Sequence, residues 1–412
     1  MYKADFNQLK ALLGPVRMHE LQPFIDRVLR GKRIHHITGP NPPSHVVELI
    51  SRWISIGQSI GLQVTWQRLW ADKDFEEACD VLAQESLNPQ FLWTDSLRQA
   101  YQEGFEFAKA NSQKPPADVD AIFVHEVSML PLISERNAAR WFYFSHDFLG
   151  WAPREFNERF AEDLRHFDAA VYPYASFVLE KKPIAHIWHP TVDLLSPRNQ
   201  HIEERDMQTL FAQTQLPDSQ PYLAYVDRYD RLDHAEILLS YYLKHPVRKE
   251  LALVIGAEAG ITSEDARRRV SALEHMAGNG ERIFIRALPQ DERILNVVRR
   301  RASVQLYWPK AGRTDTSLIE ALWAGRPVVA MDQLGVRDIV RSGVTALVAK
   351  DTAQLLDQAL LVGQDAKLAQ GLVERAQMHS ADYALLDQEL INLACLFLFK
   401  TVDPMTLVWS PG

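Results

Sequence analysis

The chain has 412 residues, long enough for two domains of roughly 200 residues, each able to bury its own core. Hydrophobic residues at 47% and charged residues at 24% exclude a disordered chain, and a net charge of −8 argues against a general nucleic-acid binder, which needs clustered positive charge. No apolar run approaches the 20 or so residues of a membrane span; "LACLFLF" near the end is too short and reads as part of a buried helix.

The first 20 residues lack an apolar stretch behind a basic start, so no signal peptide is expected. "GKRIHHIT" (31–38) reads as a strand running into the proline-rich turn "GPNPPS". A helical apolar stripe follows (Val46, Leu49, Ile50, Trp53, Ile54), then a glycine break and a second strand, which together make a βαβ unit. "ADVDAIFVHE" predicts a third strand ending at His125, and "ARWFYFSHD" a fourth ending at His146. "DAAVYPY" and "IAHIWHP" predict two more, each stopped by proline. In parallel sheets ligands bind outside the carboxyl ends of the strands, which singles out His125, Glu126, His146, Asp147 and Pro190.

Residues 194–221 turn polar and irregular and are expected to form a hinge. Strand–helix alternation then resumes through "PYLAYVDRYD", "LALVIGA", "RIFIRAL", "ASVQLYWP", "RPVVAM" and "ALVAK". The expected architecture is α/β, two Rossmann-like domains facing an interdomain cleft: 1–205, then 218–382, with 383–412 returning as a helix to the first domain.

From Lys310 the chain reads "KAGRTDTSLIEALWAGRPVVAMDQLGVRDIVRSGVTALVAKD". This segment resembles the donor domain of the GT-B, family 4 retaining glycosyltransferases. The similarity is nearest to the trehalose-forming subgroup, which joins a nucleotide-activated glucose to free glucose. "WHPTVDLLSPRNQ" is similar to that subgroup's Pro-Ser-Ile-Asp-Pro-Leu-Ser-x-x-Asn, and "GKRIHHIT", "DAIFVHEVSMLPLI" and "YFSHDF" extend the likeness over most of residues 31–385.

The resemblance implies a hexosyl transfer with retention from a nucleotide sugar to a small sugar or polar acceptor. Glu320 would accept hydrogen bonds from the nucleotide's ribose, Arg228 would carry leaving-group charge, and His146 would orient a sugar hydroxyl. Lys310, Thr316 and Ser317 would line the donor side, with Ser44, His125 and Glu126 on the acceptor side. Against these stand structural alternatives: Glu320 as a solvated helix residue, Arg228 as an interdomain ion-pair residue, His146 and Asp147 as a hydrogen-bonded core pair.

Three departures concern the reactive centre. The turn "GPNPPSHVVE" stands where the family has a glycine-rich turn whose amides approach the donor phosphate, and proline removes amide donors. The family's arginine, followed five residues on by lysine, matches Arg228 and then Asp233, leaving Arg231, Lys310 or Arg313 to supply the missing charge. Eight residues before Glu320, where the family has the first glutamate of its E-x7-E pattern, stands Gly312, with Asp315 three residues later. Two alternatives to an ordinary transferase therefore stay open: a GT-B phosphorylase using a sugar phosphate, and a non-catalytic GT-B sugar- or partner-binding protein.

No metal or other cofactor is expected. "HEVSM" lacks the second histidine of a metalloprotease helix, and His186 and His189 of "HIWH" would point to opposite faces of a strand. The aromatic groups "RWFYF" and "LYW" read as core, and His35 and His36 as half-buried in the first strand. Cys79 and Cys395 are distant and form no CxxC pair, which favours a reducing cytoplasm. Partners are expected to be small molecules, with no nucleic acid and no membrane span; a homo-oligomer is left open.

Overall fold

The computed structural model describes residues 6–398 apart from 86, 87, 89, 153, 179–182, 219, 229–233, 259–263, 279, 281, 290, 315 and 384. The chain divides into two compact units: residues 1–189 with 312–314 and 387–412, and residues 190–311 with 315–386.

The sheet of the first unit is built from β1 (Arg33–Thr38), β2 (Gln63–Arg68), β3 (Ala121–His125), β4 (Arg140–Phe144), β5 (Ala169–Tyr172) and β6 (Ile184–Ile187). The order is β2-β1-β3-β4-β5-β6 and every pairing is parallel. Strand order reverses between β1 and β3, so the crevice in which such sheets bind ligands opens beyond Thr38 and His125. The central strands β3 and β4 are buried on both faces: all five residues of β3 and the last four of β4 are inside, which explains their near-continuous apolar sequences.

The second unit contains β7 (Tyr222–Arg228), β8 (Ala252–Glu258), β9 (Ile283–Leu288), β10 (Val304–Tyr307), β11 (Val328–Met331) and β12 (Leu347–Ala349). Its order, β12-β11-β10-β7-β8-β9, is again all parallel and reverses between β7 and β10. Residues of β7 alternate faces: Leu223 and Tyr225 pack in one core cluster, Tyr222, Ala224 and Val226 in the other.

Three expectations change. The stretch 194–221 is not an irregular hinge, because it contains the helix Glu204–Ala212, whose Leu210 and Phe211 are buried beside Ile294 and Val298. The opening run of the first unit ends at residue 189, against the expected 205. The fourth strand ends at Phe144, two residues before His146.

The helix Leu386–Leu398 groups, from Asp387 onward, with the first unit. Asp387 takes a two-pronged ion pair from Arg17, at 2.8 and 3.0 Å. Glu389 accepts from the Arg52 guanidinium and, at 2.9 Å, from the Trp53 indole N–H. Leu393, Ala394 and Leu396, from "LACLFLF", are buried. Among the described residues no helix is long and apolar enough to cross a membrane.

Candidate functional site

In the first unit the strand-end histidines form a chain. His36 Nδ1 lies 2.8 Å from His125 Nε2, and His125 Nδ1 lies 2.9 Å from His146 Nε2. β1 and β3 are neighbours, which brings His36 level with Phe123 and within reach of His125. The rings stack on aromatic neighbours, His36 on Phe123 and His146 on Phe144. His35 and His36 are both buried, not half-exposed as their sequence suggests. Burial in this aromatic setting disfavours the imidazolium, so His36 and His146 are pushed down to about 3, and His125 falls well below the ordinary histidine value. All three rings are neutral at physiological pH.

Glu126 follows directly, with a φ of 68° that is costly for a residue with a side chain and that aims its carboxyl back at the turn after β1. A Cβ on Gly39 would meet Glu126 Oε2 at 2.6 Å, so only glycine lets the carboxyl approach the backbone there. Burial raises Glu126 to about 8, against the opposing hydrogen bond from the Gly39 amide, and the neighbouring Asp147 charge adds to the rise. Part of the residue reaches the surface, yet Oε1 is shut off from solvent with no hydrogen-bond partner. The turn whose amides the resemblance assigns to a phosphate thus has its Gly39 amide occupied by an internal carboxyl. Ser44 is the first residue of the helix Ser44–Ile60 at the end of this turn.

The segment 312–314 continues the same unit as a short antiparallel partner to residues 146–148. Phe148 N donates to Gly312 O at 2.7 Å, and Thr314 donates to the carbonyl of His146 from both N (2.9 Å) and Oγ1 (2.7 Å). Gly312 has φ 78°, a conformation that a glutamate would enter only with strain. Arg313, expected to supply charge to a diphosphate, donates from Nη2 to Ala83 O at 3.1 Å, and its Nε lies 3.8 Å from Asp147.

In the second unit Glu320 sits in the first turn of the helix Ser317–Trp323, after the carboxyl end of β10. It is not a solvated helix residue: it is buried, and Oε2 accepts from Arg299 Nη1 at 2.8 Å. Thr316 precedes that helix, Ser317 is buried at its start, and Lys310 is exposed after β10. Ser317, Arg299, Tyr225 and Trp308 line a cavity of about 20 Å³, room for about one water. Arg228 is the last residue of β7; its side chain, and Arg231, Asp233 and Asp315, lie outside the described residues.

Sequence reasoning missed Arg299, Gly39 and the role of His36. Arg299 begins the run "RRR" and reads as solvated, although it falls four residues after the buried Leu295 and so on the same helix face. No residue pattern signals that Glu126 turns back onto Gly39. Among the described residues no group of histidine, cysteine, aspartate or glutamate could hold a metal ion.

No protein-family profile matches the chain. It is 19% identical to a trehalose synthase from Pyrococcus horikoshii over 372 residues, covering 87% of each chain. Among solved structures it superposes on a sucrose-phosphate synthase from Thermosynechococcus elongatus with a TM-score of 0.65 and 15% identity, covering 89% of this chain and 98% of the other. It also superposes on the Anabaena protein HepE in complex with UDP and glucose, with a TM-score of 0.62 and 13% identity over 89% and 99% of the chains. The fold is GT-B, and the chain resembles trehalose-forming glycosyltransferases over most of its length.

Proposed function

We propose that the protein is a glycosyltransferase of the trehalose-synthase-like type, moving a hexosyl group with retention from a nucleotide sugar to a small sugar or polar acceptor. The observation that carries this reading is the Glu320 carboxylate, buried at the strand-order reversal of the second unit with one oxygen held by Arg299. A carboxylate so held accepts hydrogen bonds from vicinal hydroxyls such as those of a ribose. UDP and glucose in the Anabaena neighbour support a nucleotide-sugar donor. In this reading His146 orients a sugar hydroxyl, and Arg228 and Lys310 balance the charge that develops on the departing diphosphate.

A second reading, a GT-B relative that binds sugar with slow turnover or none, is favoured by Gly312 and by the Gly39 amide taken by Glu126. Charge-assisted contacts contribute about 1.5–3 kcal/mol each. Losing two of them slows transfer by roughly a hundredfold or more.

Calorimetry and thermal-shift titration with UDP, UDP-, ADP- and GDP-glucose, glucose 1-phosphate and trehalose test the reading. Binding of a nucleoside diphosphate that Glu320→Gln weakens supports the transferase. Binding of glucose 1-phosphate alone points to a phosphorylase, and silence from every ligand to a partner-binding protein.

A further inference from the structure

We propose that His36 and His125 are positioning residues that lock His146 into the tautomer carrying its proton on Nδ1, so that His146 meets its ligand as a hydrogen-bond donor and not as a base. The ligand's identity, a sugar oxygen, rests on the transferase reading; the lock does not.

Each neutral imidazole has one N–H, and two hydrogen bonds link the three rings. If His125 donates from Nδ1 to His146 Nε2, its own Nε2 is bare and must accept from His36 Nδ1. His146, accepting at Nε2, then carries its proton on Nδ1. The only other set that keeps both bonds has all three rings protonated at Nε2. A mixed set breaks a bond between buried groups.

Passing from one set to the other requires a proton to arrive at His36 Nε2 while another leaves His146 Nδ1. His36 Nε2 is sealed: it has no hydrogen-bond partner, and the ring lies stacked on Phe123 and edge-on to Trp53 at 5.2 Å in each case. Trp53 is in turn held by Glu389. The chain is therefore a dead end and not a conduit. Of the two sets, one leaves a bare lone pair at that sealed nitrogen and the other an unpaired N–H. Orphaned buried N–H groups are the rarer of such defects, which selects the set with all three protons on Nδ1. His146 then presents an N–H at the other end of the chain, two residues beyond β4, where the His45 ring lies edge-on at 5.1 Å.

The test is long-range ¹H–¹⁵N correlation NMR on the full-length protein with ¹⁵N-labelled histidine, at pH 7 and without ligand, assigned through His146→Gln and His125→Phe. Three neutral rings protonated at Nδ1 are expected; a His146 ring protonated at Nε2 would overturn the proposal. In His125→Phe the His146 ring should lose its fixed tautomer, and titration with D-glucose should show affinity about tenfold weaker, the loss of roughly one well-placed hydrogen bond. A released tautomer with unchanged glucose affinity would refute the positioning role. If His125→Phe does not fold, the wild-type spectrum still decides the tautomer. If the tautomers are as stated but D-glucose does not bind the wild type, the lock stands and glucose as the ligand of His146 is the part that fails.

Discussion

Arg299 Nη1 lies 2.8 Å from Glu320 Oε2, with the two side chains 3% and 10% exposed, so a buried ion pair orients the carboxylate assigned to the ligand. The partners come from consecutive helices, Glu292–Arg301 and Ser317–Trp323, on either side of β10. Removing one partner leaves an uncompensated buried charge, at a cost of about 3–5 kcal/mol. Urea denaturation should show Arg299→Met destabilised on that scale, and Arg299→Met with Glu320→Gln less destabilised than Arg299→Met alone. A double variant no more stable than the single would mean that the two side chains are not coupled.

Gly312 should resist substitution. With φ at 78°, any residue with a Cβ pays about 1–2 kcal/mol for the left-handed conformation. Gly312→Ala and Gly312→Glu are expected to lower stability by about that amount. Unchanged melting in Gly312→Ala would show that this loop relaxes freely, and that the family's glutamate could have been kept.

Gly39 and Glu126 should behave as a pair. The added methyl of Gly39→Ala would meet Glu126 Oε2 at 2.6 Å, so the carboxyl must swing away and give up its hydrogen bond to the Gly39 amide, at a cost of about 0.5–1.5 kcal/mol. Glu126→Ala removes the obstacle, so the double variant should recover most of the loss in a double-mutant cycle. Strict additivity would count against the contact.

The same cluster sets a pH dependence. Glu126 has its folded value raised to about 8, so the native state holds a proton that the unfolded chain releases; its contribution is full below about 4.5 and is lost as pH rises to about 8. The histidines have the opposite sign. Their folded values are depressed, so stability falls as pH drops below 6.5 and the unfolded rings take up protons. Each fully titrating group contributes a slope of about 1.4 kcal/mol per pH unit. Stability should therefore rise to about pH 6.5 and decline toward 8. Glu126→Gln should flatten the decline above about pH 6.5 and steepen the rise between about 4.5 and 6.5, where Glu126 opposes the histidines; a decline that persists in that variant must come from other groups.

Truncation before Leu386 should expose the apolar face that Leu393, Ala394 and Leu396 cover, and remove the carboxylates that pair with Arg17, Arg52 and the Trp53 indole. Insoluble or aggregated protein is expected. A truncated chain that stays soluble, with a native heat-denaturation profile, would show that the helix is dispensable to the first unit.

Sequence alone determined the twelve strands of the described residues and their alternation with helices, because strand and helix are set by local apolar period and by nearby glycine and proline. It also determined the GT-B class through the pattern around Glu320, and pointed to His125, Glu126 and His146 because strand ends are local features too. What tertiary structure decided was which groups meet. His36 and His125 are 89 residues apart and touch because β1 and β3 are neighbours; Glu126 reaches Gly39 across the same pair of strands. Arg299 meets Glu320 across β10, and Arg313 is drawn to Asp147 by a short antiparallel pairing that no residue pattern announces. Periodicity fixes which face of an element is apolar, but the partner of a polar side chain depends on the order of strands in the sheet, a property of the whole chain and not of any window of it.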